Sequence, residues 1–267
     1  MSTTIKSRML LTCLLTAVVI LAAGIWQEVT RGPIYQRKPL SVWLADLDAR
    51  ASGAQRFEAR EAVWTLGTNA LGPLPNMLRS RDWLPRNILI SLNEFGATRS
   101  AVRFHVTTAV ELHLRALTAY GFLGEIASPD VPLLSRMVVE ETCPEVRLLA
   151  ARALHCINPS GSDAAPAVAA LSRATRDTDS AVRCASTLAL VVISPHDKVL
   201  APVLVERLSD PHAQTREIAR HGLLGLGDAA ILTLRDAGQT NQVAVEVLQE
   251  LDARNWYLGH HGGVRPL

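Results

Sequence analysis

The side chains that could carry out chemistry in this chain are scattered cysteines and histidines. Beyond the first 26 residues there are three cysteines, Cys143, Cys156 and Cys184, and no pair has the close spacing of a zinc or thioredoxin-type site. The histidines form no HExxH arrangement, and adjacent residues such as His260 and His261 in a glycine-rich tail rarely hold a metal alone. No serine lies in a Gly-x-Ser-x-Gly elbow. The sequence therefore predicts no catalytic residue, no metal ligand, no cofactor and no enzyme.

Arginine is the residue type whose placement favours binding. One group, termed the inserted cluster, consists of Arg79, Arg81, Arg86, Arg99 and Arg103. Only two acidic residues, Asp82 and Glu94, lie among these arginines, and forked guanidinium groups pair well with carboxylate or phosphate. The cluster is therefore a candidate surface for an acidic partner. A degraded repeat with a solvated charged face is the alternative interpretation.

A repeating unit of about 34 residues must position these side chains. Five helical stretches align on the terminators Gly67, Gly124, Asn158, Ser194 and Gly227. The position five residues before each terminator holds a small residue: Ala62, Ala119, Ala153, Ala189 and Gly222. The position eight residues before it is also small: Ala59, Ala116, Ala150, Ser186 and Ala219. The position eleven residues before it is basic or histidine: Arg56, His113, Arg147, Arg183 and Arg216. Small residues three apart on one helix face permit close helix packing. Prolines then open the predicted second helices: Pro73, Pro132, Pro166 and Pro202. The period predicts a solenoid of helix-turn-helix units.

The run Val-Arg-x-x-Ala-x-x-Ala-Leu at residues 146–154 resembles the HEAT repeat family. A second copy, with serine at the first alanine position, occupies residues 182–190, and a third begins with Asp210 and Pro211. The resemblance covers roughly residues 54–240. It implies an all-α fold, an α-solenoid of about five helix-turn-helix HEAT-like repeats with capping helices at both ends.

The same resemblance implies a scaffold that presents an interaction surface. In this family the second helices line the concave side, where a second-helix row is expected from Arg79, Arg136, Arg173, Arg207 and Arg235. The row could bind an acidic partner, although arginine near a helix C-terminus also complements the helix dipole. The expected function is a non-enzymatic, membrane-anchored scaffold that binds a protein or peptide. The alternative is a protein similar to the bilin lyases, which attach a chromophore with the same repeat type.

The N-terminus carries a second strong pattern. Residues 9–26 contain no charge and follow Lys6 and Arg8, and 18 helical residues span about 27 Å, close to a bilayer's hydrocarbon thickness. We therefore expect a single-pass signal anchor, with residues 1–8 cytoplasmic and the repeat domain on the extracytoplasmic side. A cleaved signal peptide, which would give a secreted or periplasmic protein, is the alternative.

The remaining boundaries and the charge balance follow from composition. We expect a spacer at 27–39, the solenoid at 40–254 with a divergent insertion near 80–105, and a flexible tail at 255–267. After the first 26 residues, 25 basic residues face 25 acidic ones, since two of the 27 basic residues precede that point. A neutral body of this kind argues against nucleic acid as the partner. The expected partner is a protein or peptide, acidic where the arginines bind it.

Overall fold

The computed structural model describes residues 32–47, 51–82, 108–239 and 241–261, with side chains to residue 255. The described residues form an all-α solenoid, joined at the start by one short hairpin, and this confirms the fold class predicted from the repeat period. The chain divides into two compact units, Met1–Phe122 and Leu123–Leu267.

The first unit begins with a β-hairpin where the sequence predicted an extended spacer. Strand β1 (Ile34–Tyr35) pairs antiparallel with β2 (Lys38–Pro39), and the two turn residues between them have left-handed φ values of 47° and 63°. Helix α1 (Leu40–Asp46) follows directly. The indole Nε1 of Trp43 donates a hydrogen bond to the backbone oxygen of Tyr35 at 3.1 Å, which ties the hairpin to α1.

Three further helices of the first unit are α2 (Gly53–Leu66), α3 (Leu74–Leu78) and α4 (Ala109–Leu123), the last ending one residue into the second unit. A capping box starts α2: Ser52 Oγ accepts from the Gln55 backbone N–H at 3.3 Å, and Gln55 Oε1 accepts from the Ser52 N–H at 2.9 Å. These bonds satisfy two of the donors that a helix start leaves without partners. Helix α2 packs against α1.

The second unit repeats one pattern of paired helices. Its helices are α5 (Val131–Glu140), α6 (Pro144–Ile157), α7 (Gly161–Ala174), α8 (Ser180–Ile193), α9 (Ala201–Arg207), α10 (Ala213–Leu226), α11 (Asp228–Gly238) and α12 (Gln242–His261). The first helices of successive repeats stack as α6 on α8, α8 on α10 and α10 on α12. The second helices form their own layer, in which α5 packs against α7 and α9 against α11.

The small-residue positions lie at the contacts between stacked first helices. Ala150, Ala153, Ala189 and Ala219 have no exposed surface. A close approach lies at Gly222 on α10, where an added Cβ atom would stand 2.7 Å from Val191 Cγ2 on α8. The predicted packing face is therefore the one that is buried.

Three helices end at predicted terminators whose backbone has a positive φ. Asn158 closes α6 with φ 48° and ψ 60°, and Gly67 and Gly227 close α2 and α10 with φ of 52° and 58°. Asparagine and glycine tolerate these values because their steric cost there is low.

The proline signal was correct for three second helices and misleading for α7. Pro73 immediately precedes α3, and Pro132 and Pro202 are the second residues of α5 and α9, but α7 begins at Gly161, before Pro166. Proline there removes one backbone bond to Ser162 in the exposed first turn. Water can bond the Ser162 carbonyl in place of the missing N–H. The helix can therefore begin upstream of its proline.

The single-pass localisation expected from the N-terminal sequence is corrected here. Over the ranges that the structure describes, no helix is both long and apolar enough to cross a membrane. Residues 9–26 themselves lie outside the described residues.

Candidate functional site

The inserted cluster is described in part. Arg79, at the end of α3, and Arg81 are exposed. The other three positions, Arg86, Arg99 and Arg103, lie outside the described residues. The prediction of a binding surface made by all five arginines therefore stays a prediction.

The two ends of the insertion are held together. Asp82 Oδ1 accepts a hydrogen bond from the Ala109 backbone N–H at 2.7 Å, and His113 Nε2 lies 3.0 Å from the Ser80 backbone oxygen. Asp82 thus binds the first turn of α4, where a carboxylate is favourable to the helix dipole.

Two arginines of the second-helix row are placed for binding. Arg136 on α5 and Arg173 on α7 are both exposed, and neither has a hydrogen-bond or ion-pair partner among the described residues. Helices α5 and α7 pack against each other. Arg235 is exposed on α11. The row therefore contains a described pair of available guanidinium groups on neighbouring second helices.

Arg207, a third arginine of the row, serves the structure instead. Its Nη1 donates to the Thr175 backbone oxygen at 2.8 Å and to Asp210 Oδ2 at 3.3 Å, and its Nη2 donates to Glu206. Only 11% of the side chain is exposed. Arg207 joins two successive repeats and has no open edge of the kind that Arg136 presents.

The first-helix arginines form a ladder with aspartates of the following repeat. Arg147 donates from Nε and Nη2 to the two oxygens of Asp177, at 2.7 and 2.8 Å. Arg183 does the same to Asp210, at 2.7 and 3.1 Å. In both, Nη1 donates to two backbone oxygens of the turn that precedes its own helix. These bidentate pairs fix the stacking of one repeat on the next.

The aspartates of this ladder titrate abnormally because of their partners. Burial raises the pKa of Asp210, but hydrogen bonds from Arg183 and the His212 backbone N–H, with the charges of Arg183 and Arg207, outweigh burial and hold this pKa below its usual value. The Asp210 side chain is completely buried. The same balance, with Arg147 as the main partner, lowers the pKa of Asp177. Both carboxylates are therefore ionised structural groups at neutral pH.

The repeat pattern in the sequence predicts only the arginines of this ladder, which lie eleven residues before each terminator. It does not predict that they pair with Asp177 and Asp210. The available signal was the recurrence of an acidic residue six positions before the arginine of the next repeat, as in Asp177 before Arg183 and Asp210 before Arg216.

The reactive residue types show no catalytic arrangement in the part of the chain that the structure describes. No group of three or more His, Cys, Asp or Glu side chains there is placed to hold a metal ion. Cys156 and Cys184 are free thiols, and burial raises the pKa of Cys156, which lowers its reactivity. A cavity of about 230 Å³ in the first unit is lined partly by Tyr35 and Glu58.

One comparison with known proteins bears on the architecture of the second unit. A family model described as HEAT repeats matches residues 131–224. A solved crystal structure of an engineered protein is 18% identical, with a TM-score of 0.42, over 80% of this chain and 96% of its own. No curated protein matches the chain significantly. Residues 131–224, which hold the stacked helices and the ladder, are thus HEAT-like repeats.

Proposed function

We propose that this protein is a non-catalytic HEAT-like scaffold that binds an acidic segment of a partner protein on its second helices. The observation that carries the proposal is the pair Arg136 and Arg173. Both are exposed, both lack a partner among the described residues, and they stand on helices that pack against each other. Guanidinium groups in this state can form forked bonds to carboxylates of a partner.

The surface around the two arginines favours an extended or helical segment with some apolar character. On α7, the exposed neighbours of Arg173 are the short residues Ala165, Pro166 and Ala169. On α5, Val139 is 37% exposed one turn from Arg136. Short side chains leave room for a partner's backbone to come close, while the arginines supply orientation and charge selection.

The test is a comparison of two charge-reversal variants of the full chain. Arg136→Glu with Arg173→Glu should reduce capture of the natural partner from a lysate about tenfold, read by quantitative mass spectrometry, and wild-type capture should weaken with salt. Arg152→Glu with Arg254→Glu is the matched control, because these exposed arginines lie on a first helix and on α12.

Equal helical content by circular dichroism in both variants is required for the comparison. If the first variant captures the same proteins at the same strength as the control, the second-helix surface is not the binding site. The inserted cluster then becomes the better candidate. The bilin-lyase-like alternative gains no support from the geometry or the comparisons.

A further inference from the structure

The arginine–aspartate ladder has a third rung that differs from the other two. Arg216 on α10 holds the ladder position, and its Nη1 donates to the backbone oxygens of Asp210 and Pro211 at 2.7 and 3.0 Å. Arg147 and Arg183 make the same two bonds to their own preceding turns. The guanidinium of Arg216 is therefore fixed as in the closed rungs.

The residue that takes the position of the ladder aspartates in the next repeat is Asn241. Its Oδ1 accepts from the backbone N–H two residues ahead, that of Val243, at 3.0 Å. Asp177 and Asp210 accept the corresponding bond at 2.9 Å. This shared turn places Asn241 in the ladder column of the aspartates.

The change from carboxylate to amide removes the acceptor that Nε uses in the closed rungs. Because the Val243 N–H fixes Oδ1, the atom of Asn241 that replaces the second carboxylate oxygen is Nδ2, a donor, which bonds Ser209 Oγ at 3.0 Å. A donor cannot accept the Arg216 Nε–H. Among the described residues Nε and Nη2 of Arg216 have no acceptor, and neither atom is buried.

We infer that the open Nε–Nη2 edge of Arg216 is a carboxylate-binding site. The ligand class follows from the closed rungs, in which the same edge of the same side chain takes a planar carboxylate through two bonds of 2.7–3.1 Å. An aspartate or glutamate side chain of another protein presents this group. The site is separate from the second-helix surface and does not depend on it.

The test uses the Nε–Hε signals of arginine in the full chain labelled with ¹⁵N-arginine. In wild type, sodium acetate should shift the Arg216 signal saturably, while Arg147 and Arg183, whose edges are occupied, serve as internal controls and stay still. Sodium chloride at equal ionic strength should not reproduce the shift. The Arg216 signal is assigned by its loss in Arg216→Lys, or by its movement in Asn241→Asp if the lysine variant does not fold.

The Asn241→Asp variant provides the decisive comparison. It should close the rung, move the Arg216 Nε–Hε signal downfield to the position of Arg183, abolish the acetate response and raise the unfolding midpoint. Three outcomes would overturn the inference: a wild-type Arg216 signal already at the Arg183 position, no saturable acetate shift, or a stronger response to phosphate than to acetate. A persistent acetate shift in Asn241→Asp would also contradict it.

Discussion

The close contact between α10 and α8 yields a quantitative prediction for Gly222. Changing this residue to alanine adds a Cβ atom that would lie 2.7 Å from Val191 Cγ2 and 2.9 Å from Leu204 Cδ1. Carbon atoms pack at about 3.5 Å or more, so each neighbour must retreat by about 0.6–0.8 Å. Val191 is β-branched and on a helix, where its χ1 angle is stiff, so the backbones of α8 and α10 must separate.

The expected free-energy change combines two opposing effects. Overpacking of this kind costs about 1–3 kcal/mol, whereas alanine is about 1 kcal/mol better than glycine inside a helix. Gly222→Ala should therefore destabilise the protein by up to about 2 kcal/mol. Gly225→Ala is a matched control on the same helix, because Gly225 is exposed and no atom lies within 4 Å of its added Cβ. It should stabilise by about 1 kcal/mol.

Thermal and urea unfolding of the full chain, followed by circular dichroism, measure both variants. The difference between them removes the helix-propensity effect and should equal the overpacking cost of about 1–3 kcal/mol, or roughly 2–4 °C in midpoint for each kcal/mol. Val191→Ala in the Gly222→Ala background should recover part of the loss, because it removes Cγ2. Gly222→Ala as stable as Gly225→Ala would refute the close approach of α10 to α8.

Three other perturbations test the packing and the ladder. Ala153→Leu should cost on the order of 1–3 kcal/mol because Ala153 is completely buried, and an unchanged melting midpoint would contradict the packing face. Asp210→Ala should cost about 3–5 kcal/mol in urea unfolding, since it leaves the nearly buried Arg183 without a carboxylate and removes one of the two that bind Arg207, whereas Asp163→Ala on the exposed surface should change little. Because the folded-state pKa values of Asp177 and Asp210 are lowered, their stabilising contribution is present above the unfolded-state value of about 3.9 and is lost as pH falls through the lower folded-state values. The melting midpoint should therefore fall below about pH 4, less steeply in Asp210→Ala than in wild type.

The hairpin before α1 has no local signal in the sequence. The hairpin before α1 depends on a two-residue turn with left-handed backbone at Gln36 and Arg37, neither of which is glycine or asparagine. The usual turn signal is absent from such a pair. Packing of Tyr35 against Trp43, with ring centroids 6.2 Å apart, supports the hairpin from outside the local sequence.

The sequence by itself determined the repeat: its period, the small residues at helix contacts, and terminators such as Asn158 and Gly227. These features are local, because helix periodicity and left-handed backbone preferences act within a few residues and recur in each unit. Only the tertiary structure decided which arginines are available. Arg136 and Arg207 belong to the same predicted row, yet one is exposed and the other bridges two repeats. That difference, like the pairing of Arg183 with Asp210, depends on how one repeat stacks on the next, and stacking is set by contacts between residues about 30 positions apart.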